Sequence, residues 1–211
     1  KRSSMTLALA AFFAGIILFV ANLNFMDPEI TPLVPVLKSY WLMIHVAVIT
    51  ASYGFFGISF LLGLLTLAFM SAGNPSPHIR ELRIINEMSL HIGLYLLTAG
   101  IFLGAVWANE SWGRYWGWDP KETWALITMV VYAFILHARF LPVLRSDYAF
   151  SVMSVLGLAS VLMTYFGVNY YLSGLHSYGG GDTPPGLTAV FITYACAFAL
   201  MIYAGYSQRR Q

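Results

Sequence analysis

Six long apolar runs dominate this sequence and limit the folds that it can adopt. They cover residues 5–23, 40–70, 84–108, 120–140, 148–172 and 187–206. A helix of about 20 apolar residues is long enough to cross the hydrocarbon core of a bilayer. The chain is 59% hydrophobic and only 9% charged, which excludes an ordinary soluble domain. We therefore predict an all-α, polytopic membrane protein whose six transmembrane helices form a single domain over residues 1–211.

The charge and the cysteine content exclude several kinds of function. The net charge of +2 is too small to indicate nucleic-acid binding. The one cysteine, Cys196, lies within an apolar run, so this chain alone has no disulfide, Cys-x-x-Cys redox pair or thiolate metal site. The sequence begins at Lys1 rather than at a methionine, which is compatible with an N-terminal part that precedes it.

One short polar segment, residues 107–124, holds five of the six tryptophans. This tryptophan segment reads WANESWGRYWGWDPKETW and lies between the third and fourth apolar runs. A polar segment between two spans lies at or just outside the membrane surface. There its rings offer either interfacial anchoring or a flat apolar platform for a flat ligand. An interfacial belt would place aromatic rings at both membrane faces, so crowding in one segment counts against anchoring alone.

The basic residues indicate the orientation of the chain in the membrane. With a cytoplasmic N-terminus, Lys38, Arg114 and Lys121 lie outside, and eight other basic residues lie inside. The inside set is Lys1, Arg2, Arg80, Arg83, Arg139, Arg145, Arg209 and Arg210. This distribution follows the positive-inside rule. We predict that both termini are cytoplasmic and that the tryptophan segment faces outside with the loops around Asp27 and His176.

The start of the fourth helix is well specified. Asp119 is suited to the N-cap, Pro120 to the first helical position, and Glu122 to the third, as in a capping box. Two interpretations of Asp119 follow. Either it is only a cap, or the cap also fixes the angle at which Trp116 and Trp118 are presented to a ligand.

The histidines are the candidate metal ligands: His45, His78, His91, His137 and His176. Imidazole is a common axial ligand of haem iron, and an ionisable side chain within a membrane indicates a functional site. His45 is expected about 7 Å below the outer surface in the second span, and His176 in the outer loop after the fifth. Each could be a hydrogen-bonded or solvated residue. Because both are expected beside the tryptophan segment, we predict that both ligate haem at an external site.

A second group of polar residues is expected near the inner leaflet. His137 lies about 26 Å along the fourth helix, so it either snorkels beside Arg139 or belongs to a second ligand site. His91 has a similar depth. It is either a partner of His137 or, as we favour, a residue that is hydrogen-bonded to a neighbouring carbonyl. Glu87 follows Arg83 by four residues, so an ion pair between these two side chains is expected.

The tryptophan segment resembles a known signature. The run WGRYWGWDPKETWAL, preceded by GAVWANE and followed by HAR, is similar to the WWD signature of haem-handling proteins. It most resembles the CcsA (ResC) type of the system II cytochrome c assembly machinery, including the C-terminal portion of fused CcsBA proteins. The runs WLMIHV around His45 and GLHSYG around His176 resemble the same family, so the likeness covers residues 40–180. The related CcmC type also has six spans but lacks the DPKETW run.

The resemblance implies ligands and a reaction. The family carries haem b to the outer face and joins it by thioethers to the Cys-x-x-Cys-His motif of apocytochrome c. His45 and His176 match the outer ligands, and His137 matches a ligand of the transmembrane haem site. The other ligand of that site is implied to come from a CcsB-type partner or fused portion, with His91 as the alternative. The further residues assigned to the haem site are Trp112, Trp116, Trp118 and Asp119.

Three functions remain to be distinguished. The first is a holocytochrome c synthase, or haem lyase, that acts with a CcsB-type partner in the bacterial inner membrane or the thylakoid equivalent. The second is a haem carrier that passes haem to a chaperone without catalysing attachment. The third is a polytopic transporter or structural subunit whose aromatic residues form only an interfacial belt.

Overall fold

A computed structural model describes residues 4–22, 39–73, 76–176 and 186–210. These residues form helices and connecting turns, with no strand among them. The helices are α1 (Ser4–Asn22), α2 (Tyr40–Ser71), α3 (Ser76–Trp112), α4 (Pro120–His137), α5 (Asp147–Leu162), α6 (Val168–Tyr171) and α7 (Leu187–Arg210). A 3-10 turn, Ala138–Phe140, extends α4, and a π-helical turn, Met163–Gly167, joins α5 to α6. The loop around Asp27, Lys38 and the glycine-rich stretch after His176 lie outside the described residues.

Five helical stretches are long and apolar enough to cross a membrane. They are Tyr40–Ser71, Pro77–Trp112, Pro120–Phe140, Asp147–Tyr171 and Leu187–Arg210. Helix α1 is a sixth apolar helix whose apolar part, Ala10–Phe19, is shorter. The prediction of an all-α, polytopic membrane protein is confirmed.

Helix α3 is longer than its apolar run at both ends. It begins at Ser76 and continues to Trp112, so the first part of the tryptophan segment is helical. Gly113 ends the helix with a φ of 71°, and its N–H donates to the Asn109 carbonyl at 2.9 Å. Glycine is the residue that adopts this left-handed conformation after a helix without steric cost. The apolar run ends at the membrane boundary, whereas the helix continues beyond it until Gly113.

The predicted cap of α4 is present. The Asp119 side chain accepts a hydrogen bond from the Lys121 N–H at 3.2 Å, and Glu122 Oε2 accepts one from the Asp119 N–H at 3.2 Å. Pro120 occupies the start of the helix, where a missing N–H has no cost. The part of the tryptophan segment that precedes α4 is therefore hydrogen-bonded to the first turn of that helix.

Helix α2 lies at the centre of the bundle and packs against α3, α5 and α7. Its Phe56 is fully buried and stacks on Tyr132 of α4, with ring centroids 3.6 Å apart. A buried polar chain also joins three helices. Ser59 donates to Asn86 Oδ1 at 2.6 Å, and Asn86 Nδ2 donates to the Ser154 hydroxyl at 3.1 Å. Such bonds hold helices together where lipid provides no hydrophobic drive for association.

The helices alternate in direction, so the bundle has two chemically different ends. The tryptophan end contains the start of α2, the end of α3 and the start of α4, with Arg114 and Lys121 as its described cations. The opposite end, the arginine end, carries Arg80, Arg83, Arg139, Arg145, Arg209 and Arg210.

One predicted ion pair is wrong. Glu87 pairs with Arg139 beyond α4, and Arg83 pairs with Asp147 at the start of α5. An i, i+4 pair on one helix contributes only about 0.2–0.5 kcal/mol, and the order Arg then Glu is the weaker one. Packing of α3 against its neighbours brings other partners within reach, so each side chain pairs across helices.

Candidate functional site

A cavity of about 180 Å³ opens at the tryptophan end. Its wall is mostly apolar, and both His45 and His176 line it, together with Trp107 and Trp116. These residues come from α2, from α3, and from the segments before α4 and after α6. The structure thus brings together the two histidines that the sequence predicts as external ligands.

Trp107 contacts both of these histidines. It is 1% exposed, stacks on His45 with ring centroids 5.2 Å apart, and lies 5.5 Å from the ring of His176. The distance between the centroids of the two imidazole rings therefore cannot exceed the sum of these two distances. Trp112 adds an edge-on contact to His176 at 4.8 Å and to Trp107 at 4.6 Å. Two indoles thus hold the histidine rings in place at the wall of the cavity.

Trp107 is not among the residues that the sequence predicts for the site. A signal was present, because Gly100 and Gly104 mark the face of α3 that approaches α2, and Trp107 continues that face one turn later. A side chain at Gly104 would lie 3.3 Å from His45 Cδ2, and one at Gly100 would overlap Ile49. Small residues let two helices approach closely, and the next large residue on that face must then meet the facing helix.

His45 is held in one tautomer by its own helix. Its Nδ1 lies 2.8 Å from the carbonyl oxygen of Trp41. A carbonyl only accepts, so Nδ1 carries the proton and Nε2 keeps a lone pair. A histidine that ligates a metal usually engages its other ring nitrogen in such a bond, which fixes the ring and raises its basicity.

Asp119 holds His176 in the same way. Its Oδ2 accepts a hydrogen bond from His176 Nδ1 at 2.8 Å, and its Oδ1 accepts one from the Leu175 N–H at 2.6 Å. Asp119 is therefore more than a cap, since one buried carboxylate joins the start of α4 to the histidine segment. Gly174 allows this contact, because a Cβ there would lie 2.8 Å from Pro120 Cδ and closer still to Asp119 Oδ1.

The charge states at this contact follow from its surroundings. Burial alone would raise the pKa of the Asp119 carboxyl, but hydrogen bonds from His176, Leu175 and Lys121 outweigh it, so that pKa lies below its ordinary value. Burial lowers the pKa of the His176 imidazole, and the neighbouring Asp119 offsets this only in part. At neutral pH an ionised carboxylate therefore accepts from a neutral imidazole, whose Nε2 is available to a metal.

Trp116 and Trp118 take different positions although they are two residues apart. Their rings form an edge-on pair with centroids 5.7 Å apart, and Trp116 lines the cavity. Trp118 is 69% exposed and has a φ of 56°, a left-handed conformation that costs a bulky residue about 1–2 kcal/mol. The turn therefore directs one ring into the site and the other outward.

Two charged side chains also line the cavity, Lys121 and Glu122. The Glu122 carboxylate accepts from the Gly117 N–H at 2.8 Å and lies 3.7 Å from Arg114 NH1, so its charge is compensated. Lys121 Nζ instead donates to the neutral amide of Asn169 at 3.0 Å. No carboxylate of the described residues forms an ion pair with Lys121.

His137 lies at the other end of α4, exposed and away from this cavity. Its Nδ1 donates to the Ala133 carbonyl at 2.7 Å, and His91 Nδ1 donates to the Glu87 carbonyl at 2.8 Å. The carbonyl bond expected for His91 is therefore present, but His45 and His137 make the same bond, so it does not distinguish a ligand from a bystander. The Glu87–Arg139 ion pair joins α3 to the turn after His137. The described part of the chain holds no cluster of three or more histidine, cysteine or acidic residues at this end.

Comparison with known proteins shows the family of this chain. The family described as Cytochrome C assembly protein matches residues 1–176, which include all five histidines. The chain belongs to this cytochrome c assembly family. The resemblance to CcsA-type proteins is thereby confirmed.

Members of the family differ greatly in length. This chain is 55% identical over 190 residues to Protein NrfI of Wolinella succinogenes, covering 88% of this chain and 21% of that protein. It is 36% identical over 200 residues to Cytochrome c biogenesis protein CcsA of Guillardia theta, covering 81% and 66% respectively. For CcsA of Chlamydomonas reinhardtii the identity is 42% over 156 residues, covering 72% and 44%. The chain thus spans only part of the length of each of these relatives.

Proposed function

We propose that this member of the cytochrome c assembly family binds haem b at its tryptophan end, with His45 and His176 as the axial ligands of the iron. One observation carries the proposal: the two histidines line the same cavity, and each has its Nδ1 engaged by an acceptor. Both can therefore offer Nε2 to iron.

The chemical character of the cavity wall suits a haem substrate. Its wall is mostly apolar, which matches the flat, apolar body of a porphyrin. Trp112 and Trp116 contribute rings at or beside the ligands. Trp118 belongs to the same turn, and its exposed ring is placed to meet a molecule that docks at this end. Burial of Trp107 counts against a purely interfacial belt, since a belt residue contacts lipid headgroups and water.

The reaction that we assign is attachment of haem to apocytochrome c. Each thiol of a Cys-x-x-Cys-His motif adds across a haem vinyl group, so that a carbon–sulfur bond forms and the thiol hydrogen goes to the other vinyl carbon. This addition consumes no oxidant. Because Cys196 is the sole cysteine of this chain, the thiols come from the apocytochrome. The part of this chain is to hold haem in a fixed position for that attack.

We propose the orientation that the charges favour. Six described arginines lie at the arginine end, and Arg114 and Lys121 lie at the tryptophan end. The positive-inside rule then directs the arginine end to the cytoplasm and the haem cavity to the outside of a bacterial inner membrane, or to the equivalent side of a thylakoid.

A second haem site near the arginine end is part of the proposal. His137 is exposed there, with its Nε2 not engaged by the Nδ1 bond to Ala133. The other ligand comes from a CcsB-type partner or a fused portion, or from His91. The partial coverage of the relatives is compatible with such an additional part.

The test is the absorption spectrum of the purified protein, produced with a CcsB-type partner. We compare wild type with His45→Ala, His176→Ala and His137→Ala, and use His78→Ala as the matched control. Wild type should show a bis-histidine haem spectrum that the two outer variants lose or alter and that His78→Ala retains. Loss in His137→Ala as well would support a pathway of haem from the inner site to the outer one. Identical spectra from all variants would refute the ligand assignment.

A second measurement separates a lyase from a carrier that uses the same site. The wild-type protein is co-expressed with its partner and an apocytochrome, and haem that survives denaturation is measured on the apocytochrome. Covalent haem supports attachment. Haem that binds this chain and never becomes covalent supports a carrier that passes haem to a chaperone.

A further inference from the structure

Lys121 brings a positive charge to the cavity at the tryptophan end. It lies in the first turn of α4 and lines the same cavity as His45 and His176. Its Nζ is 3.0 Å from Asn169 Oδ1 and lies over the ring of Tyr165, 6.0 Å from its centroid. The ammonium group therefore contacts two neutral partners, which come from the π-helical turn and from α6.

Lys121 differs from the charged groups around it in the partners that it has. The other cation of this segment, Arg114, lies 3.7 Å from Glu122, and the carboxylate of Glu122 is further satisfied by backbone N–H groups. Both oxygens of Asp119 accept hydrogen bonds, from His176 and from the N–H groups of Leu175 and Lys121. The described carboxylates of this segment thus have partners of their own, whereas the Lys121 ammonium has only the neutral partners Asn169 and Tyr165. A partly buried ammonium is stabilised when an anion joins it.

The backbone of Lys121 is fixed by the same residue that orients His176. The Lys121 N–H donates to Asp119 Oδ2 at 3.2 Å, and His176 Nδ1 donates to the same oxygen at 2.8 Å. The backbone of Lys121 and the ring of His176, a proposed iron ligand, are therefore held at a fixed distance from each other. This relation is what a site needs if it binds the iron and the periphery of one molecule at the same time.

We propose that Lys121 binds a propionate carboxylate of the haem, so that this cavity selects porphyrins with acidic side chains. The inference rests on the proposed function. Haem b carries two propionates on one edge and its vinyl groups at positions away from that edge. A propionate held at Lys121 therefore orients the vinyl groups away from α4, toward an incoming thiol.

The alternative for Lys121 is a lysine that extends to the membrane surface and bonds Asn169 only to satisfy its N–H groups. The two explanations differ in what they predict for a ligand without acidic groups. A surface lysine is indifferent to the propionates, whereas a propionate-binding lysine distinguishes haem from its ester.

The experiment compares the dissociation constants of haem b and haem b dimethyl ester, in which both carboxylates are neutral. The full chain with its CcsB-type partner is titrated as wild type, Lys121→Gln, Lys121→Arg and Arg145→Gln. Arg145 is an exposed cation at the arginine end, so its variant controls for the loss of net charge. We expect wild type to bind haem b about tenfold or more tightly than the ester, the size of one hydrogen bond to a charged group.

Lys121→Gln should weaken haem b binding to near the affinity of the ester and leave ester binding and the bis-histidine spectrum unchanged. Lys121→Arg should keep most of the preference, and Arg145→Gln all of it. Equal affinity of wild type for both ligands would overturn the proposal, and this comparison needs no variant to fold. Equal weakening of both ligands by Lys121→Gln would also overturn it. Failure of the proposed function gives a different result, in which wild type binds neither ligand through histidine.

Discussion

The carboxylate of Asp119 lies 2.8 Å from Nδ1 of His176, so the residue that begins α4 also orients a proposed haem ligand. The same side chain accepts the N–H groups of Leu175 and Lys121. Helix capping and ligand positioning are therefore properties of one buried group. Variants that keep one role and remove the other can separate them.

Asp119→Asn should keep the cap and disturb the ligand. Asparagine is as good an N-cap as aspartate, but its one oxygen cannot accept all three bonds that two carboxylate oxygens accept now. We expect about 10- to 100-fold weaker haem binding, the usual effect of losing the partner of a ligating histidine. Haem titration measures this loss. Asp119→Ser, which also caps helices but is too short to hold His176, should resemble Asp119→Asn. Wild-type haem affinity in both would show that His176 needs no such partner.

Gly174→Ala should damage the site without changing any polar group. The added methyl would lie 2.8 Å from Pro120 Cδ and overlap Asp119 Oδ1, so the segment that carries His176 must move. We expect a destabilisation of about 1–3 kcal/mol, as is usual for overpacking, with weakened haem binding. Thermal unfolding in detergent and haem titration report the two effects. Gly54→Ala is the control, because a methyl there meets nothing within 4 Å and alanine favours a helix.

Trp118→Gly should give a more stable protein than Trp118→Ala. Both variants lose the edge-on contact with Trp116, but only glycine adopts a φ of 56° without steric cost. The expected difference in the free energy of unfolding is about 1 kcal/mol. Comparing the two melting temperatures in detergent removes the shared effect of the lost ring. Equal melting temperatures would show that the backbone relaxes at this position.

The burial of His176 and the hydrogen bonds that Asp119 accepts make stability depend on pH. Both pKa values are lowered in the folded protein from ordinary values of 6.5 for histidine and 3.8 for aspartate. A lowered pKa means that the unfolded chain takes up the proton first, so each contribution is complete above the ordinary value and is lost as the pH falls. We expect the melting temperature of the haem-free protein to fall first below pH 6.5 and again below pH 3.8. His176→Gln should make the first of these decreases smaller.

Several features of the fold follow from residues close together in the chain. Apolar runs long enough to cross a bilayer predict the membrane helices, and Asp119, Pro120 and Glu122 predict the cap of α4. Such local patterns are reliable because their causes act over a few residues, through backbone hydrogen bonds and exclusion of the backbone from lipid. The end of α3 at Gly113 is also a local effect, although hydropathy alone placed the end of that helix too early.

Contacts between helices were not predictable in the same way. Glu87 and Arg83 are spaced for a pair on one helix, yet each pairs with a residue of another element because interhelical packing decides which charges come within reach. Gly174 and Lys121 gained their places in the site from packing that no local pattern contains, whereas Trp107 follows two glycines that mark the packed face of α3.

Local sequence patterns are enough to predict that this chain is a helical membrane protein, where α4 begins, and which histidines are candidates for ligands. Those outcomes depend on hydropathy, capping chemistry and residue type. Only the tertiary structure decided that His45 and His176 share a cavity, that Asp119 orients His176, and that Lys121 lines the cavity without a carboxylate partner. Each of these relations joins residues from different helices or segments, and the close packing of α2 against α3 and of the histidine segment against α4 creates them.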